Sequence, residues 1–352
     1  MDIRNLLKLA AEKNASDLHI LAHHSPILRV DGELYNINKI VLDGNFDNVS
    51  EHDLTNFVNT ILDKDQKKRF FDKKDLDLSY QVDSYRFRLN FSFEKSNICI
   101  VARVIKEEEP TLEDLGMPIE IAELLEARQG LVLVTGPTGC GKSTTLAAMI
   151  NHINTNKSAN IITLEDPIEF VFKSKKSIIS QRQLGTDMNS FSSGLKHVLR
   201  QDPNVIMLGE MRDLETISTA ITIAETGHLV LATLHTFSAI QTIDRIIDIF
   251  PPHQQTQIKS QLSFVLSAVI SQRLLPKIGG GRIAAREILF NNPAIANLIR
   301  EGKIAQIKSS IETGANMGMI TLDKHIRQLY QSGLIAEEVA LGYVENPNIL
   351  EG

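Results

Sequence analysis

The chain has 352 residues, room for two domains of ordinary size. Hydrophobic residues make up 43% and charged residues 23%, the balance of a protein with buried cores and not of a disordered chain. Lys and Arg total 37 against 43 Asp and Glu, a net charge of −6 without a basic tail, which argues against nonspecific nucleic-acid binding.

The longest apolar run, Leu262 to Ile270, is broken by Ser263 and Ser267 and falls far short of the ~20 residues of a membrane span. Met1-Asp2-Ile3-Arg4 lacks the apolar core of a signal peptide. Cys99 and Cys140 are too few for a disulfide framework, and the ten histidines show no metal-ligand spacing. The expectation is a globular cytoplasmic protein without membrane insertion.

In chain order, Ile3, Leu6, Leu7 and Ala10 share one helical face that stops near Asn14. Ile27 to Ile37 reads as a hairpin, because Asp31-Gly32 supplies the positive φ angles of a tight turn. Ser50 and Asp53 form a capping pair ahead of the stripe Leu54, Phe57, Val58, Ile61 and Leu62. From Tyr85 the period becomes two: Tyr85, Phe87, Leu89, Phe91 and Phe93 face one way, Arg86, Arg88, Asn90 and Ser92 the other. A further strand over about Asn97 to Ile105 carries Arg103. This α+β region, residues 1–105, ends at a charged, proline-terminated stretch read as a linker, residues 106–112.

Residues 113–290 read as an α/β domain. Leu131 to Thr135, Asn160 to Leu164, Val205 to Leu208 and Leu229 to Leu234 are short apolar runs suited to parallel strands buried on both faces. Ile258, Leu262, Val265, Leu266 and Val269 read as one helical core stripe, and Gly279-Gly280-Gly281 as a hairpin turn. Residues 291–352 read as an all-α tail.

Gly136-Pro137-Thr138-Gly139-Cys140-Gly141-Lys142-Ser143, followed by Thr144, matches the G-x-x-x-x-G-K-[ST] phosphate loop, between a buried strand and a helix. Glycines let successive N–H groups curl round phosphate oxygens at the positive end of the helix. Lys142 is expected to reach the β- and γ-phosphates of ATP, and the Ser143 hydroxyl to ligate Mg²⁺. Cys140 is expected to have no chemical role, although a thiol at a helix N-terminus is open to a lowered pKa.

The other three strands also end in chemistry, at Glu165-Asp166, Gly209-Glu210 and His235-Thr236. Ligands of open parallel sheets bind beyond the carboxyl ends of their strands. After Val205 to Leu208 the acidic residue usual there is replaced by Gly209, and Glu210 follows. Glu165 and Glu210 compete for the role of general base, with Glu210 preferred for its place after the third strand. Asp166, before Pro167, reads equally well as a helix cap. His235 is assigned to sensing the γ-phosphate; His228, after Gly227, is open between a site residue and a turn residue.

Thr163 to Phe170 resembles the Asp box of the type II/type IV secretion ATPases, Gly209-Glu210-Met211-Arg212-Asp213 their atypical Walker B, and Thr226 to Thr236 their His box. With the phosphate loop, four motifs stand in that superfamily's order. Ser16-Asp17-Leu18-His19, Arg29-Val30-Asp31-Gly32 and the helical tail resemble its pilus-retraction branch. The resemblance implies a PAS-like N-terminal domain, a RecA-like ATPase domain, a homohexameric ring and a partner in the inner-membrane pilus platform, at the cytoplasmic face. It also implies that Arg86, Arg88 and Arg103 help neutralise phosphate charge, against the plain reading of a solvated strand face. One departure stands out: the branch carries Ala-Ile-Arg-Asn-Leu-Ile-Arg in its tail, and here the first arginine is Ala296. Other readings are an accessory retraction paralogue, a pilus-assembly or type II secretion ATPase, and, in a different class, a nucleic-acid translocase.

Overall fold

Alternation of apolar and polar residues builds a six-stranded antiparallel sheet in the first of two units, residues 1–108; the computed structural model describes residues 2–41, 46–105 and 109–350. Its strands are Asp17–Ile20 (β1), Ile27–Val30 (β2), Glu33–Asn36 (β3), Asp75–Val82 (β4), Tyr85–Glu94 (β5) and Asn97–Ile105 (β6), in the order β3-β2-β1-β6-β5-β4. Asp31 (φ 50°) and Gly32 (φ 94°) turn β2 into β3 as expected. Phe87, Leu89 and Phe91 on β5 are fully buried, and Phe91 packs on Phe57 and Phe70. Helices Ile3–Glu12 and Glu51–Ile61 bring Leu6, Leu7, Leu54 and Val58 to the same core. At the second, the Ser50 hydroxyl accepts from the Asp53 N–H (3.2 Å) while the Asp53 carboxylate accepts from the Ser50 N–H (3.0 Å). Helix Lys64–Lys73 carries too little periodicity to be read from sequence, since Phe70 is its one buried residue.

The second unit, residues 109–352, is a seven-stranded sheet. Its strands are Gly130–Thr135 (β7), Asn160–Glu165 (β8), Ile178–Gln183 (β9), Val205–Leu208 (β10), Leu229–Leu234 (β11), Leu266–Pro276 (β12) and Arg282–Phe290 (β13). The order is β13-β12-β7-β11-β10-β8-β9, with every pairing parallel except β12 with β13. The four strands read from sequence are thus consecutive neighbours, and β7, β10 and β11 are buried along their whole length. Their two faces feed separate cores, one under helices Leu214–Glu225 and Ala239–Asp248, the other under Lys142–Asn156.

The expected helical stripe through Val269 is corrected. The helix Pro252–Val265 stops where Leu266 turns extended, and Leu266 and Val269 belong to β12. Between β7 and β13 the consecutive residues Ala268, Val269 and Ile270 are all buried, a run that sequence periodicity does not separate from a buried helix. The Gly279–Gly281 turn does join β12 to β13. Of the expected linker, residues 106–108 lie outside the described residues, and its second half belongs to the second unit. The Glu109 carboxylate accepts from the Lys173 N–H (3.1 Å) and Lys175 Nζ (2.8 Å), and Leu112 is buried.

Beyond Phe290 the described elements are helical: α-helices Pro293–Glu301, Ile307–Thr313, Leu322–Gln331 and Glu337–Leu341, with short 3-10 turns. They do not form a separate layer. Ile295, Ile299, Ile307 and Ile311 complete the core of the main sheet, and Ile326 and Leu329 pack on Leu275 and Ala285 of β12 and β13. This segment also closes the open edge of β13, where the Ile288 N–H donates to the Ile320 carbonyl (2.9 Å) and the Arg286 N–H to His325 Nδ1 (2.9 Å).

Burial first, then the nearby Arg286 guanidinium, pushes the His325 imidazole down to about 4. Between its ordinary value and that point the unfolded chain takes up a proton that the folded chain does not, so stability is lost as pH falls through this window. His325→Gln, which keeps an acceptor for Arg286, is expected to flatten the decline in urea midpoint between about pH 6.5 and about pH 4.5 relative to the parent. An unchanged pH slope would remove His325 from that role.

Candidate nucleotide-binding and hydrolytic site

The loop from Gly136 to Ser143 leaves the carboxyl end of β7 and runs into helix Lys142–Asn156. Gly136, Gly139 and Gly141 hold φ of 142°, 77° and 90°, conformations that L side chains avoid. Thr138 and Gly139 form the exposed lip, while Gly141, Lys142, Ser143 and Thr144 are half-buried. Lys142 Nζ folds back on the Gly136 and Pro137 carbonyls (2.8 and 3.1 Å), and burial lowers its pKa. The Ser143 hydroxyl is bonded to no described residue. It is a hard oxygen donor on the first turn of the helix, which fits Mg²⁺, a cation that keeps several waters and takes few protein ligands.

Three further strands end at the same carboxyl edge of the sheet, and the ends of β11 and β10 reach the loop through His235 and Glu210. His235, one residue past β11, has Nδ1 3.5 Å from Lys142 Nζ and Nε2 3.1 Å from Glu210 Oε1. Glu210, two residues past β10, also accepts from Arg212 Nε at 2.6 Å. Partial burial opposes its charge, but the Arg212 hydrogen bond and the His235 and Arg212 charges outweigh it and hold the carboxyl below its ordinary range. Glu165, the last residue of β8, is enclosed instead: its Oε1 accepts from Thr163 Oγ1 (2.6 Å) and Gln181 Nε2 (3.0 Å), and burial raises its pKa.

Gly209 explains its own place between the strand and Glu210. Its N–H donates to the Leu164 carbonyl (2.8 Å), its carbonyl accepts from Thr233 Oγ1, and a Cβ there would sit 3.3 Å from Leu164 O and 3.4 Å from Glu165 Cα. A side chain at this position would crowd β8, whose backbone would have to give by a few tenths of an ångström.

Several expected site residues are placed elsewhere. His228 precedes β11 at its amino end, whereas the phosphate loop follows the carboxyl end of β7; the two strands are parallel, with Leu229 beside Gly130 and Leu234 beside Thr135. At ~3.3 Å per residue this separates His228 from its own chain's loop by roughly the length of a strand. Its Nδ1 meets the Ile223 carbonyl (3.1 Å) at the end of helix Leu214–Glu225, a turn role. The Cys140 thiol is buried behind the loop, and burial pushes its pKa up, so the lowered thiol considered from the helix dipole is not found. No helix follows Asp166, so it is not a cap.

In the first unit Arg86 and Arg88 lie on the face of β5 opposite the buried aromatics. Arg88 pairs with Asp77 (3.3 Å), and Arg103 with Asp17 (2.9 Å), so two of the three already hold carboxylates. Gln181, which positions Glu165, and Gln272, buried on β12 against the loop, escaped sequence reading; neither lies in a motif, and only the fold brings them to the site.

A glycine loop between a buried parallel strand and a helix, with carboxylates and an imidazole at the same sheet edge, is the architecture of the P-loop nucleotide hydrolases. Residues 1–338 match the Type II/IV secretion system protein family, and the chain belongs to it. It is 48% identical over 342 residues to the type IV pilus retractation ATPase PilT of Pseudomonas aeruginosa, covering 97% of each chain. With the type IV pilus ATPase PilU of the same organism it shares 38% identity over 99% of this chain and 90% of that one. A crystal structure of the pilus retraction motor PilT with bound ADP superposes with a TM-score of 0.90 at 44% identity, covering 100% of this chain and 99% of that one.

Gly209→Ala tests the close approach of β8 and β10. The added methyl is expected to move Glu165 and Glu210 by a few tenths of an ångström and lower ATP turnover on the order of tenfold, with ADP affinity kept. Steady-state phosphate release beside ADP titration reads the split.

Proposed function

We propose that this chain is an ATP-hydrolysing motor that drives type IV pilus retraction, working as a homohexamer on the inner-membrane pilus platform from the cytoplasmic face. The observation that supports it most is the grouping of Lys142, Glu210 and His235 within 3.5 Å contacts at the phosphate loop, in a chain similar over nearly its whole length to named retraction ATPases. Gly136, Thr138, Gly139, Cys140 and Gly141 are assigned to the phosphates through the backbone, Thr144 by its place on the first helical turn. Ser143 with water and phosphate oxygens would hold Mg²⁺, which neutralises phosphate charge when bound.

In this reading Lys142 exchanges its loop carbonyls for the β- and γ-phosphates. Glu210, kept ionised by Arg212 and His235, orients and deprotonates the attacking water; His235, held between Lys142 and Glu210, reports the γ-phosphate to the end of β11. Glu165, buried and doubly hydrogen-bonded, holds the strand ends in place and is the second candidate for base. Arg86, Arg88 and Arg103 are proposed as cations for the phosphates, and the first unit as PAS-like, on the family resemblance. Ala296 is buried against the core in helix Pro293–Glu301, while Arg300 lies over the Phe264 ring at 5.6 Å. The missing arginine of the tail motif is therefore replaced by a residue that packs inward, and the second reading, an accessory retraction motor, takes its support from this position.

Lys142→Ala is expected to abolish turnover, and Glu210→Gln to keep ADP binding while lowering phosphate release by on the order of a hundredfold or more. Free hydrolysis by Glu210→Gln would transfer the base to Glu165. In the native host, chromosomal Lys142→Ala is expected to give excess surface pili with lost twitching motility. Bare cells would instead identify an assembly ATPase, and unchanged pili and motility an accessory motor.

A further inference from the structure

Gln272 sits on β12, 2% exposed, in a strand that none of the nucleotide motifs includes. Its amide makes two bonds to the phosphate-loop region from a position more than a hundred residues away: Nε2 donates to the Cys140 carbonyl (2.7 Å), and Oε1 accepts from the Thr145 hydroxyl (2.9 Å). The orientation of the amide is forced, because a backbone carbonyl only accepts and so must face the NH₂ end. Thr145 is itself buried in helix Lys142–Asn156 and spends its hydroxyl on Gln272.

The peptide joining Cys140 to Gly141 is planar and trans, so its C=O and N–H point in opposite directions. Fastening the Cys140 carbonyl to β12 turns the Gly141 N–H the other way, toward the open side of the loop, where it meets no acceptor among the described residues. The fit is close: a Cβ on Gly141 would lie 3.3 Å from Gln272 Nε2, and one on Gly136 would lie 2.3 Å from the Gln272 carbonyl oxygen.

We propose that Gln272 is a positioning residue for nucleotide phosphate, which acts through the Cys140 carbonyl to aim the Gly141 N–H at a phosphate oxygen and through Thr145 to lock the loop to its helix. This rests on the nucleotide reading of the loop and adds to it a residue outside the four motifs. The side chain never touches the ligand. Its effect is to prepay the ordering of one backbone donor, so its loss weakens the binding of phosphate without removing any group that contacts it.

The test is ADP titration of the full-length protein by calorimetry, with two variants. Gln272→Met keeps the volume and removes both bonds; its ADP affinity is expected to fall by on the order of tenfold to a hundredfold, the effect of one misdirected hydrogen bond to a charged group. Gln272→Glu supplies the specific readout. As a carboxylate it repels the Cys140 carbonyl, but once protonated it donates there and accepts from Thr145, as the amide does. Burial raises the pKa of a carboxyl at this position, so its ADP affinity is expected to be weak at about pH 8 and to recover toward that of the parent at about pH 5.5, relative to the parent's own change over that range. The Glu variant decides the matter if the Met variant does not fold. Affinity within about twofold of the parent in both variants, or no recovery at low pH, overturns the role of Gln272. A parent protein that binds no ADP overturns the nucleotide reading itself, and this proposal with it.

Discussion

At Gly136 the chain leaves β7 with no room for a side chain: a Cβ there would fall 2.3 Å from the Gln272 carbonyl oxygen and 2.6 Å from Cys140 Sγ. The same closeness recurs at Gly130, where a Cβ would meet Ser267 Oγ at 2.1 Å. Strand β12 is thus drawn against β7 at both ends, and between them Thr135 and Ser271 share a buried hydroxyl contact of 2.8 Å. Where the phosphate loop begins, at Gly136, the contact is of backbone on backbone. A helix dipole and a run of free N–H groups attract an anion only if the loop stays open, and the loop stays open because its inner wall is a strand and not solvent.

The two carboxylates beside the loop illustrate how environment separates like groups. Glu165 ends a strand in the interior and is charged only at a desolvation cost, whereas Glu210 is half-buried between a guanidinium and an imidazole. Opposite shifts in neighbouring acids are the arrangement from which acid and base roles are drawn. Between them Gly209 keeps β8 and β10 close, its N–H bonded to the Leu164 carbonyl.

Much of the molecule was legible before any coordinates. The phosphate loop, the Asp31-Gly32 turn, the Ser50 and Asp53 cap and the alternation of β5 depend on local stereochemistry, and local stereochemistry is written in adjacent residues. The four central strands were legible for another reason, since strands buried on both faces admit only apolar residues. By the same token the start of β12 reads as a continuation of the preceding helix, because the burial of Ala268, Val269 and Ile270 in succession erases the periodicity that distinguishes a strand from a core helix. Strand β9 at the sheet edge, with its mixed pattern of exposure, left no such trace.

The chemistry divides along the same line. Residue types and their spacing in the chain were enough to read a phosphate-loop motif that ends in Lys142 and Ser143 at the start of a helix, and to put Glu165, Glu210 and His235 at strand ends, because each of these three lies within two residues of the end of a recognisable strand. Direction and distance were beyond it. That His228 occupies the wrong end of β11, that the Cys140 thiol points inward, and that Gln181 and Gln272 reach the site from other strands all follow from which strands lie side by side and which way they run. Strand order is a property of the whole sheet, set by the burial of both its faces at once, and no short stretch of residues encodes it.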